Sequence, residues 1–327
     1  MSFTDKDEIL NETDPEEAYR RRNNEEKTAI SYGQRKLLMT LISFLVNHCL
    51  DVANPTVVYA GAAPGVNIGI AASLFPQFTF HCYDPAKFAI KTDVSKKIIT
   101  YQKKFTDELA EYWAEKNKQN QNIIFISDIR TADYTQAKDL EENEHQILSD
   151  MMLQKKWVEI IKPMRTQLKF RLPYAIPEIS DELEYFDGII YKQCFSPQSS
   201  SETRLVLTSS DLKYKTYSCK KYESQMFYHN VVVREKNKYE GLTDGHELLN
   251  DWDSQCEVHI WRKYVKYSNN LLNNFAHNED DHIKVLSRDA TEKLNKDKKH
   301  KDTLEYLRSH PRAIKDRNFN SSKNKKK

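Results

Sequence analysis

Four ionisable residues stand at points of this 327-residue chain where apolar runs predict buried strands or a packed helix. Asp128 directly follows the run IIFIS, and Glu202 comes just before the run Arg204–Thr208. Lys169 lies inside the run QLKFRL, where an ammonium group is costly to bury unless it is paired or neutralised. Lys36 lies in the first turns of a predicted amphipathic helix. Lysines oriented by carboxylates are suited to removing a proton from a weakly acidic hydroxyl group.

The reaction that fits this set is methyl transfer to a ribose 2′-hydroxyl. It is an in-line displacement that requires an aligned oxygen and a base, and it needs no metal ion. A lysine can act as the base where partial burial and a second cation lower its pKa. We expect Lys169 to be the base and Lys36 the second cation, with Asp128 and Glu202 orienting them. Taken singly, Lys36 or Glu202 also fits an exposed surface position, and Asp128 also fits a helix cap.

The segment VYAGAAPG, residues 58–65, follows one predicted strand and opens a predicted helix. Gly61 and Gly65 allow a ligand to approach the backbone beyond the carboxyl end of the strand. Asp84 ends the next predicted strand, where an acidic side chain typically accepts hydrogen bonds from ribose hydroxyls. The loop matches neither the dinucleotide-binding nor the P-loop glycine pattern, so S-adenosylmethionine, which has no phosphate, fits it better. An ordinary tight turn is the alternative interpretation.

The elements that must position these residues alternate between helix and strand. The apolar spacing from Tyr32 to about Leu50 predicts a helix. Buried parallel strands are predicted at Thr56–Ala60, Thr79–Tyr83 and Ile123–Ser127, and further helices at about 66–75, 105–118 and 142–162. The later runs are expected to complete the sheet with a partly antiparallel edge: Gln167–Leu172, Gly188–Phe195, Arg204–Thr208 and Lys215–Cys219. The pattern predicts an α/β fold with a doubly wound, Rossmann-like methyltransferase sheet.

The chain divides by charge into three parts. Residues 1–27 are predicted to be an acidic arm that is flexible or locally helical, 28–268 an S-adenosylmethionine-dependent methyltransferase domain, and 269–327 a basic, disordered tail. Residues 288–327 hold fourteen bases and six acids, whereas residues 1–26 hold nine acids and four bases. We expect the tail either to contact a polyanion such as RNA or to be a solvated segment with no partner.

Composition argues against several other classes of protein. Hydrophobic residues make up 39% of the chain, which is enough for a globular core. The five cysteines form no CxxC pair, which indicates reduced thiols in an intracellular protein. The acidic N-terminus predicts no secretory signal, and the chain has no run of about 20 apolar residues that would predict a membrane span.

Six segments within residues 32–235 carry a resemblance to a known family: Gly33–Leu38, Val57–Gly65, Ile126–Arg130, Gln167–Pro173, Ser201–Leu205 and Tyr222–Asn230. They resemble the poxvirus-type cap-specific mRNA 2′-O-methyltransferases, which also serve as stimulatory subunits of a poly(A) polymerase. Several ordered matches are more specific than one motif. The resemblance implies methyl transfer from S-adenosylmethionine to the first transcribed nucleotide of capped mRNA. It also implies a cytoplasmic or virion location, in a cytoplasmic virus or genetic element that makes its own caps.

The resemblance implies a role for each of several residues. The implied Lys-Asp-Lys-Glu catalytic tetrad is Lys36, Asp128, Lys169 and Glu202. The implied cofactor-binding residues are Gln34, Tyr59, Gly61, Ala63, Pro64, Gly65, Asp84, Phe105, Asp128 and Arg130. The implied cap- and RNA-binding residues are Tyr174, Glu223, Arg171 and Tyr19. Tyr174 would stack on the cationic methylguanine and Glu223 would accept its N–H donors; otherwise they are a core tyrosine and a surface glutamate.

The chain departs from the family pattern in two places. In the cap site, Ile176 replaces a second acid that reads guanine, and Tyr19 is the nearest candidate for a second stacking aromatic. Beside the cofactor acid Asp84, Ala86 replaces an arginine for which Lys87 would substitute.

Three functions fit the sequence. The first is cap 2′-O-methyl transfer. The second is the same reaction on a ribosomal or transfer RNA, because the tetrad is shared by enzymes that act on uncapped RNA. The third is an RNA-holding processivity subunit of a poly(A) polymerase, in addition to catalysis or in place of it. The RNA length requirement, the host and the oligomeric state are left open.

Overall fold

The computed structural model describes residues 1–20, 32–93, 97–119, 122–132, 137–174, 176–240, 242, 249–272 and 278–294. Its α-helices are α1 (Asp5–Glu8), α2 (Gly33–His48), α3 (Val66–Leu74), α4 (Asp107–Lys118), α5 (Leu140–Ile161), α6 (Cys219–Tyr228), α7 (Arg234–Lys236), α8 (Trp252–Leu272) and α9 (Glu279–Leu294). A π-helical turn, His229–Val233, joins α6 to α7. No helix in this part of the chain is both long and apolar enough to cross a membrane.

The strands are β1 (Ile9–Leu10), β2 (Thr56–Ala60), β3 (Thr79–Tyr83), β4 (Ile98–Tyr101), β5 (Ile123–Ser127), β6 (Arg165–Phe170), β7 (Glu182–Phe186), β8 (Ile189–Tyr191), β9 (Thr203–Leu207) and β10 (Tyr214–Ser218). Eight of them form one sheet in the order β1-β8-β9-β6-β5-β2-β3-β4. The neighbouring strands β6, β5, β2, β3 and β4 pair in parallel. On the other side of β6, the pairs β6–β9, β9–β8 and β8–β1 are antiparallel. The predicted α/β class and mixed edge are therefore confirmed.

The strand order reverses between β2 and β5. From β2 the chain builds outward through β3 and β4, and it then returns to the other side of β2 to add β5 and β6. In doubly wound sheets, ligands bind beyond the carboxyl ends of the strands at this switch point. The point lies between the loop after β2 and Asp128, which follows β5.

Apolar side chains cover both faces of the sheet, as a parallel sheet requires. In β2, Val57 and Tyr59 belong to one core, with residues of α2, α3, α8 and α9. Val58 and Ala60 belong to the other, with residues of α4, α5 and α6. The sheet is therefore the middle layer of three, and both layers of helices hold it rigid around the switch point.

Most predicted elements are confirmed, and the three predicted parallel strands have the observed bounds. One expectation about the sheet is wrong. The run Lys215–Cys219 does not join the main sheet, because β10 pairs with β7 in a separate two-stranded sheet. Neither β7 nor β4 was predicted; β7, ELEYF, alternates acids with apolar residues, and β4 has four residues.

The N-terminal arm contains a short helix, as one of the two predicted alternatives has it, and it also contains a strand that was not predicted. Within residues 1–20, α1 is helical and β1 pairs with β8, so the arm adds a strand to the edge of the sheet. Glu8 is buried and accepts a hydrogen bond from the Ser43 hydroxyl, and Leu10 is buried in the core. One buried apolar residue and one paired acid therefore anchor an otherwise acidic segment. Residues 21–27 lie outside the described residues.

The prediction that residues 269–327 are disordered is wrong for α9. Ile283, Ala290 and Leu294 are buried along α9 and pack into the core that contains α2 and α3. Half of the residues of this helix are charged, and its few apolar residues at helical spacing are sufficient because the opposite face stays in solvent. Residues 295–327 lie outside the described residues.

Candidate active site

The predicted catalytic residues meet at one edge of the sheet because of strand direction. Asp128 follows β5, and Lys169 is near the carboxyl end of its parallel neighbour β6. β9 runs antiparallel to β6, so Glu202, just before β9, lies at the same edge. Lys169 and Arg204 are directly opposite each other in the β6–β9 register.

The four side chains form a connected set of ion pairs. Lys169 Nζ lies 3.1 Å from Asp128 Oδ1 and 3.4 Å from Glu202 Oε2. Lys36 Nζ, from the first turn of α2, donates to Glu202 Oε1 at 2.8 Å. Each of the four side chains is 12–13% exposed, so the cluster is screened from bulk water but reachable from one side. The structure therefore brings together the four residues that were predicted to act as one unit.

Arg204 is a member of this cluster that the sequence prediction missed. Its Nη2 lies 2.8 Å from Asp128 Oδ1 and 3.5 Å from Glu202 Oε1, and its side chain is 3% exposed. Arg130, predicted to bind the cofactor, places Nη2 3.7 Å from Glu202 Oε2. The signal for Arg204 was present, because a charge inside the apolar strand TRLVL requires a partner as much as Lys169 does.

The cations keep both carboxylates ionised. Burial alone would raise the pKa of Asp128, but Arg204 and Lys169 outweigh it and hold the pKa below the ordinary value of 3.8. Burial opposes ionisation of Glu202 as well, and Lys169 and Lys36 hold its pKa well below 4.5. At neutral pH the site therefore has two fixed anions that orient the lysine ammonium groups.

The glycine loop lies beside this cluster. Gly61 and Gly65 have φ values of +78° and +79°, in the left-handed region that favours glycine. Asp84 accepts hydrogen bonds from the backbone N–H of Ala63 at 3.0 Å and of Ala86 at 2.7 Å. The carboxylate after β3 therefore shapes the loop after β2. The peptide bond between Ala63 and Pro64 is cis.

The residues at the loop have features of a ligand site. A β-carbon on Gly61 would lie 2.7 Å from the Asp128 carbonyl carbon, so only a glycine lets the loop lie this close to the backbone that follows β5. Gln34, on the first turn of α2, has a buried Oε1 atom with no hydrogen-bond partner among the described residues. A buried orphan acceptor usually has a partner that is not part of the chain. Glycine backbone, an amide oxygen and a carboxylate suit a nucleoside with polar substituents.

Tyr59 and Phe105, also predicted to bind the cofactor, are mainly core residues. Tyr59 is buried within β2. Phe105 is buried with its ring centroid 4.9 Å from that of Trp157 and 5.3 Å from that of Tyr83. Their contact with a cofactor, like that of Pro64, stays a prediction.

Beyond the cluster, β6 leads to two predicted cap-binding residues. The Arg171 guanidinium carbon lies 4.1 Å from the centroid of the Tyr174 ring. Fully buried Glu144, from α5, accepts two bonds from Arg171, at 2.8 and 3.0 Å, and one from the Tyr174 backbone N–H at 2.8 Å. Glu144 was not predicted, because α5 begins with several acids and nothing in the sequence marks which one is buried.

The other two predicted cap-binding residues are associated with α6. Burial raises the pKa of Glu223, and the charge of Arg171 opposes that shift. Tyr19 is 61% exposed, and its ring meets the ring of Phe227 edge-on at 5.4 Å, one helical turn after Glu223. The N-terminal arm thus brings Tyr19 to the helix that carries Glu223. Ile176 forms an isolated bridge with Ile179.

A doubly wound sheet with a glycine loop and a Lys-Asp-Lys-Glu cluster at its switch point defines a Rossmann-like methyltransferase fold. The chain belongs to the poly A polymerase regulatory subunit family, whose sequence model matches residues 5–295. The predicted resemblance is thereby confirmed.

Two viral relatives are similar over most of the chain, and both are named cap-specific mRNA (nucleoside-2′-O-)-methyltransferase. The protein of Fowlpox virus (strain NVSL) is 29% identical over 250 residues, which cover 70% of this chain and 76% of the relative. The protein of Myxoma virus (strain Lausanne) is 28% identical over 254 residues, 72% of this chain and 70% of the relative.

Proposed function

We propose that this protein is a cap-specific mRNA 2′-O-methyltransferase that acts on the first transcribed nucleotide, with S-adenosylmethionine as the methyl donor. The observation that carries the proposal is the position of Lys169. Its ammonium group lies between two carboxylates, 3.1 Å from Asp128 and 3.4 Å from Glu202, at the switch point of a methyltransferase sheet. The names of the two viral relatives support the same substrate.

Lys169 is the group placed to take the ribose proton. In its uncharged form it would accept the proton of the 2′-hydroxyl while the oxygen bonds to the methyl carbon and the bond from that carbon to the donor sulfur breaks, leaving the electron pair on sulfur. Asp128 and Glu202 then stabilise the ammonium group that forms, at the distances already observed. Lys36 holds Glu202 in place from the opposite side at 2.8 Å. Most of the rate would come from aligning the oxygen with the methyl group.

The loop residues fit S-adenosylmethionine, which supplies an electrophilic methyl group when bound. Gly61 and Gly65 would expose their backbone to it, Asp84 would face its ribose, and the Gln34 amide oxygen would gain a donor. The chemistry of these groups requires no phosphate.

The test incubates the protein with labelled S-adenosylmethionine and short RNAs that are capped or uncapped, and it digests the product to locate the label. We expect label on the first ribose of capped RNA only. Lys169→Met should reduce the rate by about 10²- to 10⁴-fold. Lys169→Arg should be equally inactive although it keeps the charge, because a guanidinium group does not lose its proton. Both variants should still bind the cofactor.

Each other outcome has a definite meaning. Label on the guanine, or unchanged transfer by Lys169→Ala, would exclude this mechanism. Equal labelling of capped and uncapped RNA would favour the non-cap RNA 2′-O-methyltransferase.

The description of the matched family supports a second function, assembly with a poly(A) polymerase catalytic subunit. The measurement is the length of poly(A) that such a polymerase adds with and without this protein. Lys169→Met should stimulate as well as the wild type, because the substitution removes the base and leaves the exposed surface of the protein almost unchanged.

A further inference from the structure

Arg35, the residue before Lys36, is a fully buried charge that the proposed chemistry does not use. Its Nε donates to Glu257 Oε2 at 2.7 Å and its Nη2 to Glu257 Oε1 at 2.5 Å. Nη1 donates to the Thr291 hydroxyl at 2.6 Å, and Nη2 donates to the Ser287 hydroxyl at 2.8 Å. All three partners lie on the C-terminal helices, Glu257 on α8 and the two hydroxyls on α9.

The network extends along α8 to the chain segment that meets the start of α2. One turn before Glu257, Asp253 accepts a hydrogen bond from the Phe195 backbone N–H at 2.7 Å. The carbonyl of Phe195 in turn accepts a hydrogen bond from the Tyr32 backbone N–H at 2.8 Å, and Tyr32 precedes the first residue of α2. Two successive acids of α8 therefore hold the beginning of the helix that carries Lys36.

Stability alone does not account for this arrangement. A buried ion pair is often no more stabilising than apolar side chains of the same volume, because both charges lose their hydration. What the five donated bonds of Arg35 add is orientation, since a planar guanidinium group bonded on several sides cannot rotate. Lys36 follows Arg35 by about 100° around the helix axis. Fixing the rotation of the helix at Arg35 therefore fixes the direction in which the Lys36 side chain leaves the helix.

We propose that Arg35 and its partners on α8 and α9 are positioning residues that aim Lys36 at Glu202, so that the C-terminal helices are part of the catalytic unit. The effect of this positioning on the rate of methyl transfer rests on the proposed function. The contact that it explains is the 2.8 Å bond from Lys36 Nζ to Glu202 Oε1.

The test is the double variant Ser287→Ala/Thr291→Val, which removes the two hydroxyls and leaves the Arg35–Glu257 pair in place. The matched control is Ile283→Val, which trims a buried residue of the same helix that has no part in the network. Both are assayed well below their melting temperatures, beside Lys36→Met. We expect the double variant to lower kcat about tenfold, with KM for capped RNA and for S-adenosylmethionine unchanged, and the control to match the wild type. In a crystal structure of the double variant, Lys36 should have left Glu202.

A fall in kcat no larger than that of Ile283→Val, or a persistent Lys36–Glu202 contact in the crystal structure, would overturn the inference while leaving the proposed function intact. If the wild type transfers no methyl group, the proposed function fails, and the crystal structure still decides whether the network positions Lys36. If the double variant does not fold, Thr291→Val alone is measured in the same way.

Discussion

Gly61 approaches the backbone of Asp128 so closely that an added β-carbon would lie 2.7 Å from the Asp128 carbonyl carbon and 2.9 Å from its oxygen. The glycine of the loop thus packs against the backbone of the residue whose carboxylate belongs to the cluster, where the strand order reverses. The Asp128 backbone N–H also donates to the carbonyl of Ala60 at 2.9 Å. Loop shape and carboxylate position are therefore coupled.

Replacing Gly61 by alanine should disturb both the shape of the loop and the position of the Asp128 carboxylate. The positive φ and the backbone clash should destabilise the fold by about 1–3 kcal/mol, and S-adenosylmethionine binding should weaken. The control is Gly33→Ala, in α2, where an added β-carbon meets nothing within 4 Å and helix propensity favours alanine by up to about 1 kcal/mol. Urea unfolding and calorimetric titration measure the two effects. Equal results for the two variants would contradict the coupling.

A charge inside an apolar strand was the most informative sequence signal. Lys169 stood out for that reason, and the structure shows it paired with two carboxylates. The same signal at Arg204 was overlooked. Glu144 could not be recognised, because an acid on a helix normally lies in solvent and only the folded chain shows that it is fully buried against Arg171.

The C-terminal helices show a second limit of reading a sequence. The spacing of apolar residues predicts packing through hydrophobic contact. In α9 part of the buried face is polar, Ser287 and Thr291, and it is satisfied by Arg35 from more than 250 residues away along the chain. Such a partner is visible only when both helices are in place. The strand in the N-terminal arm was not predicted for a similar reason, because β1 has only two residues and forms by pairing with β8.

The depressed pKa of Glu202 predicts how stability depends on pH. In the unfolded chain Glu202 takes up a proton near pH 4.5, whereas in the folded chain it stays ionised to a lower pH. The stability that ionised Glu202 contributes is therefore complete above about pH 4.5, and it is lost as the pH falls through the pKa of Glu202 in the folded chain. Glu202→Gln should be roughly 3 kcal/mol less stable than the wild type at neutral pH, because Lys36 and Lys169 lose a partner.

The measurement is urea unfolding of both proteins from neutral pH to about pH 3. The difference in their free energies of unfolding should shrink below pH 4.5, the ordinary value for glutamate. The exposed acid Glu184, whose side chain is 70% exposed, supplies the control Glu184→Gln, with little difference at any pH. A constant difference for Glu202→Gln would show that this carboxylate has no shifted pKa.

The Glu144–Arg171 pair should govern recognition of the cap. Glu144→Ala leaves the buried Arg171 without its carboxylate and should cost roughly 3–5 kcal/mol of stability. Glu144→Gln keeps an acceptor for the Tyr174 N–H, and should retain more of that stability. Both should raise KM for capped RNA more than kcat falls, because Tyr174 loses the guanidinium group 4.1 Å from its ring centroid. A purely structural role would leave KM for capped RNA unchanged in the folded Gln variant.

Removal of residues 295–327 tests the basic tail as an RNA contact. The truncation is placed after Leu294 because α9, including Ser287 and Thr291, is packed against Arg35 and must stay. The removed segment has twelve bases and four acids, which leaves 38 bases and 44 acids in the remaining chain. The truncated protein therefore has a net negative charge, and its attraction for RNA should weaken at every salt concentration.

The salt dependence of RNA binding identifies the cause. For single strands, the slope of log affinity against log salt becomes less negative by about 0.7 for each phosphate contact that is lost, so several lost contacts flatten it by several units. A full-length variant in which the tail lysines and arginines are replaced by glutamine should match the truncation, because charge and not length would be responsible. Methyl transfer to a short capped RNA at low salt should persist in both, since the tetrad is intact. Unchanged slopes in both variants would show that the tail is solvated and makes no contact with RNA.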